Sequence, residues 1–155
     1  MAYWLMKSEL EVYGIDHLRA QKRRTDHWDG IRNYQARNFM RDQMKTGDLA
    51  FFYHSNCSVP AVVGIMEIAS AAYPDHTAFD PNEKHFDAKS DPDKPRWLMV
   101  DVKFKKKLKM PITLQAIKAE KQLADMRLVQ RGNRLSILPV TPAEWRHILK
   151  MAGES

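Results

Sequence analysis

Strand-length runs of apolar residues alternate with stretches in which apolar residues recur every three or four positions, a pattern that predicts strands interrupted by short helices. Residues 3–6 (YWLM) form the first run, which stops at Lys7, Ser8 and Glu9 and so leaves Lys7 and Ser8 at a strand end. Over 15–21, Ile15 and Leu18 recur at helical spacing, with Asp16 placed for the positive end of the helix dipole. That helix runs out into Lys22, Arg23 and Arg24, which read as a solvated helix end in preference to a phosphate contact. Residues 26–30 form a polar loop around Trp28. Residues 31–44 carry Ala36, Phe39, Met40 and Met44 on one side and charged residues elsewhere, as an amphipathic helix does, and Gly47 and Asp48 end it. The apolar runs 49–53 and 61–68 predict two buried strands joined as a hairpin by a Ser, Asn and Pro-containing loop. The first of them breaks off into His54, Ser55 and Asn56, delivering polar groups at the mouth of a buried strand as a small-molecule or nucleobase pocket requires.

Between residues 73 and 96 periodicity disappears, and Pro74, Pro81, Pro92 and Pro95 punctuate a long excursion of the kind that is functional or disordered inside a domain. Residues 97–104 then alternate as a strand with one apolar face, running into Lys105, Lys106 and Lys107. Pro111 and Thr113 introduce a helix over 114–120, and a second short one covers 122–129. A basic turn from Arg131 to Arg134 precedes a strand at 135–140. Thr141 and Glu144 form a capping box with Pro142 at the first helical position, so a closing helix spans 142–151. Strands divided by helices in this order predict an α+β fold: a mixed, mostly antiparallel β-barrel flanked by helices, built as one domain over residues 1–155.

Charge changes this picture in one respect. Lys and Arg number 25 against 19 Asp and Glu, a formal charge of +6, which makes a polyanion a plausible partner. The clusters at 103–109 and 131–134 are the candidate phosphate contacts. Cys57 is the sole cysteine, which excludes an intramolecular disulfide and suits a reducing compartment. The opening residues are too short and too polar-flanked for a secretory signal, and no apolar run is long enough to span a membrane. The expectation is a soluble, cytoplasmic protein, nuclear if the source is eukaryotic.

Of the four tryptophans, Trp4 and Trp97 fall in apolar strands and Trp145 on the inner side of the last helix, assigning all three to packing. Trp28 is set among Asp26, His27, Asp29 and Gly30, where no apolar pattern demands burial. It is the candidate stacking wall, with a cap on the core as the rival assignment. His54 and Cys57 share one short loop that supplies no oxyanion hole and no orienting carboxylate, so they do not compose a nucleophile and base. His76, Asp80, His85 and Asp87 match no metal-ligand spacing. No catalytic residue, metal or cofactor is assigned, and the residues by themselves describe a binding module.

Several segments nonetheless carry a resemblance: YWLMKSE, WDGIRNYQARNFMRD with GDLAFFYHSN, VVGIMEI, AYPDHTAFDP, PRWLMVDVKF and RLSILPVTPAEW. Spread in order over nearly the whole chain, they resemble the EVE domain of the thymocyte nuclear protein family. The resemblance implies a PUA-like fold related to the YTH domains that read methylated adenine, and a non-enzymatic role in reading a modified nucleobase in DNA or RNA. It places Lys7 and Ser8 at the first strand end and Trp28 as the stacking ring, with Asn33 and Tyr34 beside it. His54, Ser55 and Asn56 come from the third segment, Phe79 and Asp80 from a second wall, and Arg134 and Ser136 from the rim, beside which the basic turn supplies Arg131 as a candidate phosphate or rim contact. The chain departs from the family pattern at Leu10 and Gly14, in the entry turn, and at 57–60, which shape the pocket mouth. Two rival classes remain, a nucleic-acid-processing enzyme using Lys7, His54 and Asp80 as acid or base, and a protein-interaction module.

Overall fold

The N-terminal apolar run is hydrogen-bonded on both sides. In the computed structural model, which describes residues 1–154, β1 (Tyr3–Glu9) runs parallel to β3 (Leu49–Ser55) and antiparallel to β7 (Ile137–Val140). β3 turns back into β4 (Ala61–Ile68), which pairs with the long β6 (Leu98–Thr113), and β6 carries β2 (Thr25–Trp28) on its outer side. The sheet order is therefore β2-β6-β4-β3-β1-β7, with the short β5 (Tyr73–Pro74) joined separately to the start of β6. All pairs but β1·β3 are antiparallel, as the sequence predicts. In place of the expected barrel stands an open sheet, because β2 and β7 end the ladder without pairing to one another among the described residues.

Both faces of the sheet are buried, which is why its strands read as continuous apolar runs. Trp4 and Met6 of β1 and Ala50 and Phe52 of β3 point to one side, against Ile15 and Leu18 of α2 (Ile15–Arg19) and Phe39 and Met40 of α3 (Tyr34–Asp42). Leu5, Phe51 and Tyr53 alternate to the other side, against Ile117 of α4 (Leu114–Ala119) and Trp145 and Ile148 of α5 (Pro142–Met151). Here Trp145 stacks on Phe51 and on Tyr3 with ring centroids 3.9 and 4.5 Å apart. The α5 capping box forms as expected, Thr141 Oγ1 accepting from the Glu144 amide at 3.1 Å and Glu144 Oε1 from the Thr141 amide at 3.0 Å.

Several boundaries differ from the sequence reading for identifiable reasons. β2 occupies part of the expected 26–30 loop, a strand that TDHW does not advertise because its ordering comes from pairing with β6. α3 begins only at Tyr34, since the Asn33 side chain accepts from the Ala36 amide at 3.0 Å and caps it there. α1 (Leu10–Tyr13) is an additional turn of helix, and 121–123 and 127–129 are two 3-10 turns where one helix was expected.

The largest difference is β6, which does not end at Phe104. Its register against β4 slips between Ile65 and Met66, where Ile65 faces Lys106 but Met66 faces Phe104, leaving Lys105 as an extra residue. One extra residue inverts the alternation of side chains along a strand. Consecutive residues of the strand alternate, so the lysine run is divided between opposite faces, Lys107 reaching Asp16 of α2 at 3.2 Å and Lys106 reaching Glu154 beyond α5. Lys105 pairs with Glu67 at 3.3 Å. The cluster that suggested phosphate contact is largely satisfied by carboxylates of the chain itself. Among the described residues, no helix is long and apolar enough to cross a membrane.

Gly64 lies where β4 passes closest to α2 and β6: a Cβ built there falls 2.0 Å from Ile15 Cδ1 and 2.6 Å from the Lys106 carbonyl oxygen. The Ile15 methyl can move aside, but the backbone oxygen cannot. Gly64→Ala is expected to lower the urea midpoint with an unchanged slope, at a cost of about 1–3 kcal/mol, the range for overpacking a filled interior.

Candidate functional site

Parallel pairing of β1 and β3 brings two strand ends to the same edge of the sheet. Ser8 lies opposite His54 and Glu9 opposite Ser55, so the polar residues that terminate each apolar run converge. The Lys7 amide donates to the Ser136 carbonyl at 2.8 Å, which draws the segment before β7 to the same place. A cavity of about 660 Å³ opens there, within the size range of small-molecule and cofactor sites. Lys7, Ser8 and Ser55 line it from the sheet, Val12 and Tyr13 from α1, and Arg134 and Ser136 from the C-terminal side. β2 and the turn after it contribute Asp26 to Ile31, and the long excursion closes it with Glu83, Lys84 and His85.

The geometry of these walls is fixed by hydrogen bonds. Ser8 Oγ donates to the Tyr13 carbonyl at 2.7 Å, and Tyr13 Oη donates to Asp26 Oδ2 at 2.6 Å, tying β1, α1 and β2 together. Burial, reinforced by that carboxylate, raises the Tyr13 phenol well above its ordinary range, so it stays a donor. Burial also lowers the Lys7 ammonium. His27 lies between Asp26 and Asp29, at 3.3 and 3.9 Å.

One buried carboxylate ties the excursion to the turn after β2. Asp75 is fully buried and accepts from the Gly30 amide at 2.8 Å, Arg32 Nη1 at 3.0 Å, and the Thr77 amide and hydroxyl at 2.9 and 2.6 Å. Arg32 also donates to the His85 carbonyl, at 2.9 Å from Nε and 2.7 Å from Nη2, and to the Ile31 carbonyl and Thr77 Oγ1 at 3.0 and 3.2 Å. His85 is thus held over Gly30, whose φ of +80° and lack of a side chain are both used: a Cβ there would lie 2.5 Å from His85 Cδ2. Residues 73–96, flagged in the sequence as functional or disordered, are an ordered wall of the cavity.

Six of the expected site residues, Lys7, Ser8, Trp28, Ser55, Arg134 and Ser136, come together around this cavity. Trp28 does so in an unexpected setting: it closes β2 opposite Val100, is only 6% exposed, and packs edge-to-face on Phe52 at 5.3 Å. It is part of the core and of the cavity lining at once, because β-pairing, not loop exposure, positions it.

The other expected residues lie elsewhere. Asn33 caps α3, and Tyr34 lies 4.9 Å from Trp97 with the Arg37 guanidinium over its ring. Trp97 in turn precedes β6 and donates to Asp87 at 2.7 Å, so it packs the excursion rather than a strand interior. His54 is buried, its Nε2 accepting from the Ile15 amide at 3.1 Å, and burial lowers its basicity. Cys57 faces the His54 carbonyl, not its ring. Asn56 is exposed with φ of 49°, Phe79 follows the 3-10 turn at 76–78, and Asp80 accepts from the Asn82 amide at 3.0 Å on the surface. Arg131 is exposed in its turn. Among the described residues no group of three His, Cys, Asp or Glu side chains is arranged to hold a metal ion.

Tyr13, Asp29, His85 and the Arg32–Asp75 pair were not legible as site residues. Only the Asp and His flanking Trp28 offered a signal, since a polar loop around a tryptophan supplies groups to whatever that ring meets.

An α+β domain with a mixed sheet and one large, polar-lined cavity at the ends of its parallel strands is a pocket-type ligand-binding domain. The chain belongs to the EVE domain family, whose model matches residues 2–151. It is 45% identical to human thymocyte nuclear protein 1 over 97% of this chain and 73% of that protein. The crystal structure of the protein PSPTO5229 from Pseudomonas syringae superposes with a TM-score of 0.93 at 45% identity, covering 97% of this chain and 99% of that one. The crystal structure of human THYN1 protein in complex with 5-methylcytosine-containing DNA matches with a TM-score of 0.93 at 44% identity, covering 100% of this chain and 99% of that one.

Burial by itself raises the Asp75 carboxyl, but hydrogen bonds from Thr77, Gly30 and Arg32 outweigh it and hold the group below the ordinary carboxylate range in the fold. A depressed folded-state value stabilises fully above the unfolded value and loses that contribution as pH falls through the folded one. Acid unfolding is therefore expected to steepen below about pH 4 in the native chain, and Asp75→Asn to flatten that limb in urea titrations across pH. Arg32→Ala, which leaves a buried charge unpaired, is expected to cost about 3–5 kcal/mol at neutral pH.

Proposed function

We propose that this protein reads a modified base in DNA, taking one base out of the helix into the cavity between β1, β2 and the excursion. The observation that carries this reading is the cavity itself. It combines an aromatic ring, Trp28, with polar groups from several elements, and has ample room for a base. Support comes from the related human protein crystallised with 5-methylcytosine-containing DNA.

The charge of the lining fits a base better than a phosphate. Carboxylates of Glu9, Asp26, Asp29 and Glu83 outnumber the cations Lys7, Lys84 and Arg134, although the whole chain is positive. A carboxylate accepts from an exocyclic amino group such as that of cytosine, and the Lys7 ammonium is a donor for ring nitrogens or carbonyls, while Ser8, whose hydroxyl proton is given to the Tyr13 carbonyl, offers an acceptor. Trp28 gives the apolar surface, and Arg134 and Ser136 meet the nucleotide at the rim. Extruding a base costs about a few kcal/mol, which stacking of about 1–3 kcal/mol and the edge hydrogen bonds offset. The setting implied is an intracellular one, where nucleic acid is found. The reaction-bearing alternative is not favoured by any arrangement at Lys7, His54 and Asp80: His54 has its Nε2 engaged by the backbone and Asp80 lies outside the cavity.

Binding of matched duplexes differing only in 5-methylcytosine against cytosine, followed by fluorescence anisotropy, is the test. The modified duplex is expected to bind more tightly, and Ser55→Phe, which fills the cavity from a strand end, to erase the difference while the far-ultraviolet spectrum is retained. Equal binding of both duplexes by the unmutated chain would refute a modified-base reader of this specificity.

A further inference from the structure

The basic clusters along the chain differ in whether a carboxylate already faces them. Lys105, Lys106 and Lys107 each have a carboxylate of the chain within ion-pair reach. Arg19, Lys22, Arg23 and Arg24 have none among the described residues, and all four are exposed. They are concentrated at the end of α2 and in the 3-10 turn that leads directly into β2, the strand that bears Asp26, His27 and Trp28.

Two features of this turn are unusual. Arg19 and Arg24 both bring their guanidinium carbons to the Phe104 ring, at 5.7 and 5.5 Å from its centroid. Two like charges thus share one aromatic neighbour without an acid to separate them, and an anion relieves that repulsion. Arg23 and Arg24 also occupy the left-handed region with φ of 57° and 53°, the conformation glycine adopts without penalty. Two successive arginines held there store strain, which persists only because the surroundings enforce it. Here the enforcing contacts are the Arg24 amide donating to the Gln21 carbonyl at 2.8 Å and Thr25 Oγ1 donating to the Arg23 carbonyl at 2.9 Å. The strained turn keeps its cations displayed on one short stretch beside the strand that enters the cavity.

We infer that Arg19, Lys22, Arg23 and Arg24 form the contact for the phosphate backbone of the nucleic acid whose base enters the cavity. This rests on the reading of the cavity as a base site and assigns the electrostatic part of binding to a surface outside it. Phosphates flanking an extruded base are held at the turn while β2 presents the lining groups. The lysines at 105–107 take no part in this contact.

The test exploits the strained backbone. Arg23→Gly and Arg24→Gly each remove a charge at a position whose geometry favours glycine, which offsets the loss of the Arg24 contact with Phe104, and the urea midpoint checks that the fold is kept. Log affinity for duplex DNA is measured against log salt concentration for the native chain, the double variant R23G/R24G and the control Lys105→Gln. The double variant is expected to flatten the slope by about two units, roughly one for each phosphate no longer neutralised, with Lys105→Gln unchanged. The ratio of affinities for 5-methylcytosine and cytosine duplexes is expected to persist in the double variant. An unchanged slope in the double variant, or equal flattening by Lys105→Gln, overturns the assignment even if base discrimination remains. Flattening without any discrimination in the native chain supports the phosphate surface and removes the modified-base reading instead. Absence of DNA binding by the native chain removes both.

Discussion

A single buried carboxylate joins two walls of the cavity. Asp75 has no solvent to hydrate it, and an unpaired charge in that position is several kcal/mol unfavourable. Its four donors come from the Gly30 amide, Arg32 and Thr77, so satisfying it brings the β2–α3 turn and the excursion together. Arg32 then transmits the constraint one step further by gripping the His85 carbonyl. Residues 73–96 are held as well by β5 pairing with β6 and by the Trp97–Asp87 hydrogen bond, but it is the Asp75 and Arg32 contacts that draw His85 over Gly30 and close the cavity on that side. Gly30 answers the same requirement from the opposite side, since only a residue without Cβ admits the His85 ring so closely.

A second constraint acts on charge. Alternation along β6 turns what reads as one basic cluster into side chains on opposite faces, each close to a carboxylate from a different element: Glu67, Glu154 or Asp16. Exposed pairs of this kind add little stability. Their effect on the surface is larger, for they neutralise one part of it and leave the surplus positive charge to other segments. Density of basic residues along a sequence is therefore a poor guide to where a polyanion binds. Whether each cation already has a partner is the better guide, and only the tertiary structure shows it.

Most strands and the closing helix were legible because burial of both sheet faces writes itself into the chain as apolar runs, and because Thr141, Pro142 and Glu144 announce a helix start by local chemistry alone. β2 and the continuation of β6 were not, since TDHW and the polar stretch after Phe104 owe their extended conformation to pairing with distant partners. The site divides along the same line. Lys7, Ser8 and Ser55 could be placed because a buried strand that ends in polar residues delivers them to a mouth. His54 and Asn33 looked equivalent in type, yet the nearest unsatisfied backbone groups, the amides of Ile15 and Ala36, claim them. Short polar side chains are versatile enough that only the three-dimensional surroundings decide between a cap and a ligand contact. Arg32 and Asp75 were invisible for the complementary reason: a long-range ion pair leaves no periodic trace in sequence.

The arrangement separates two tasks that a nucleic-acid reader must perform with one domain. A cavity whose carboxylates outnumber its cations repels phosphate, which favours a neutral, donor-bearing base edge over the backbone that carries it. Discrimination between bases then depends on short-range contacts of about 1–3 kcal/mol each, comparable with the cost of extruding the base. Those terms nearly cancel, so the pocket alone yields selectivity with little net affinity. Affinity has to come from contacts indifferent to sequence, and on the assignment proposed above the unpaired arginines outside the cavity supply them through counterion release without altering the lining. Keeping the positive charge off the lining and the carboxylates within it allows each to be strong without compromising the other.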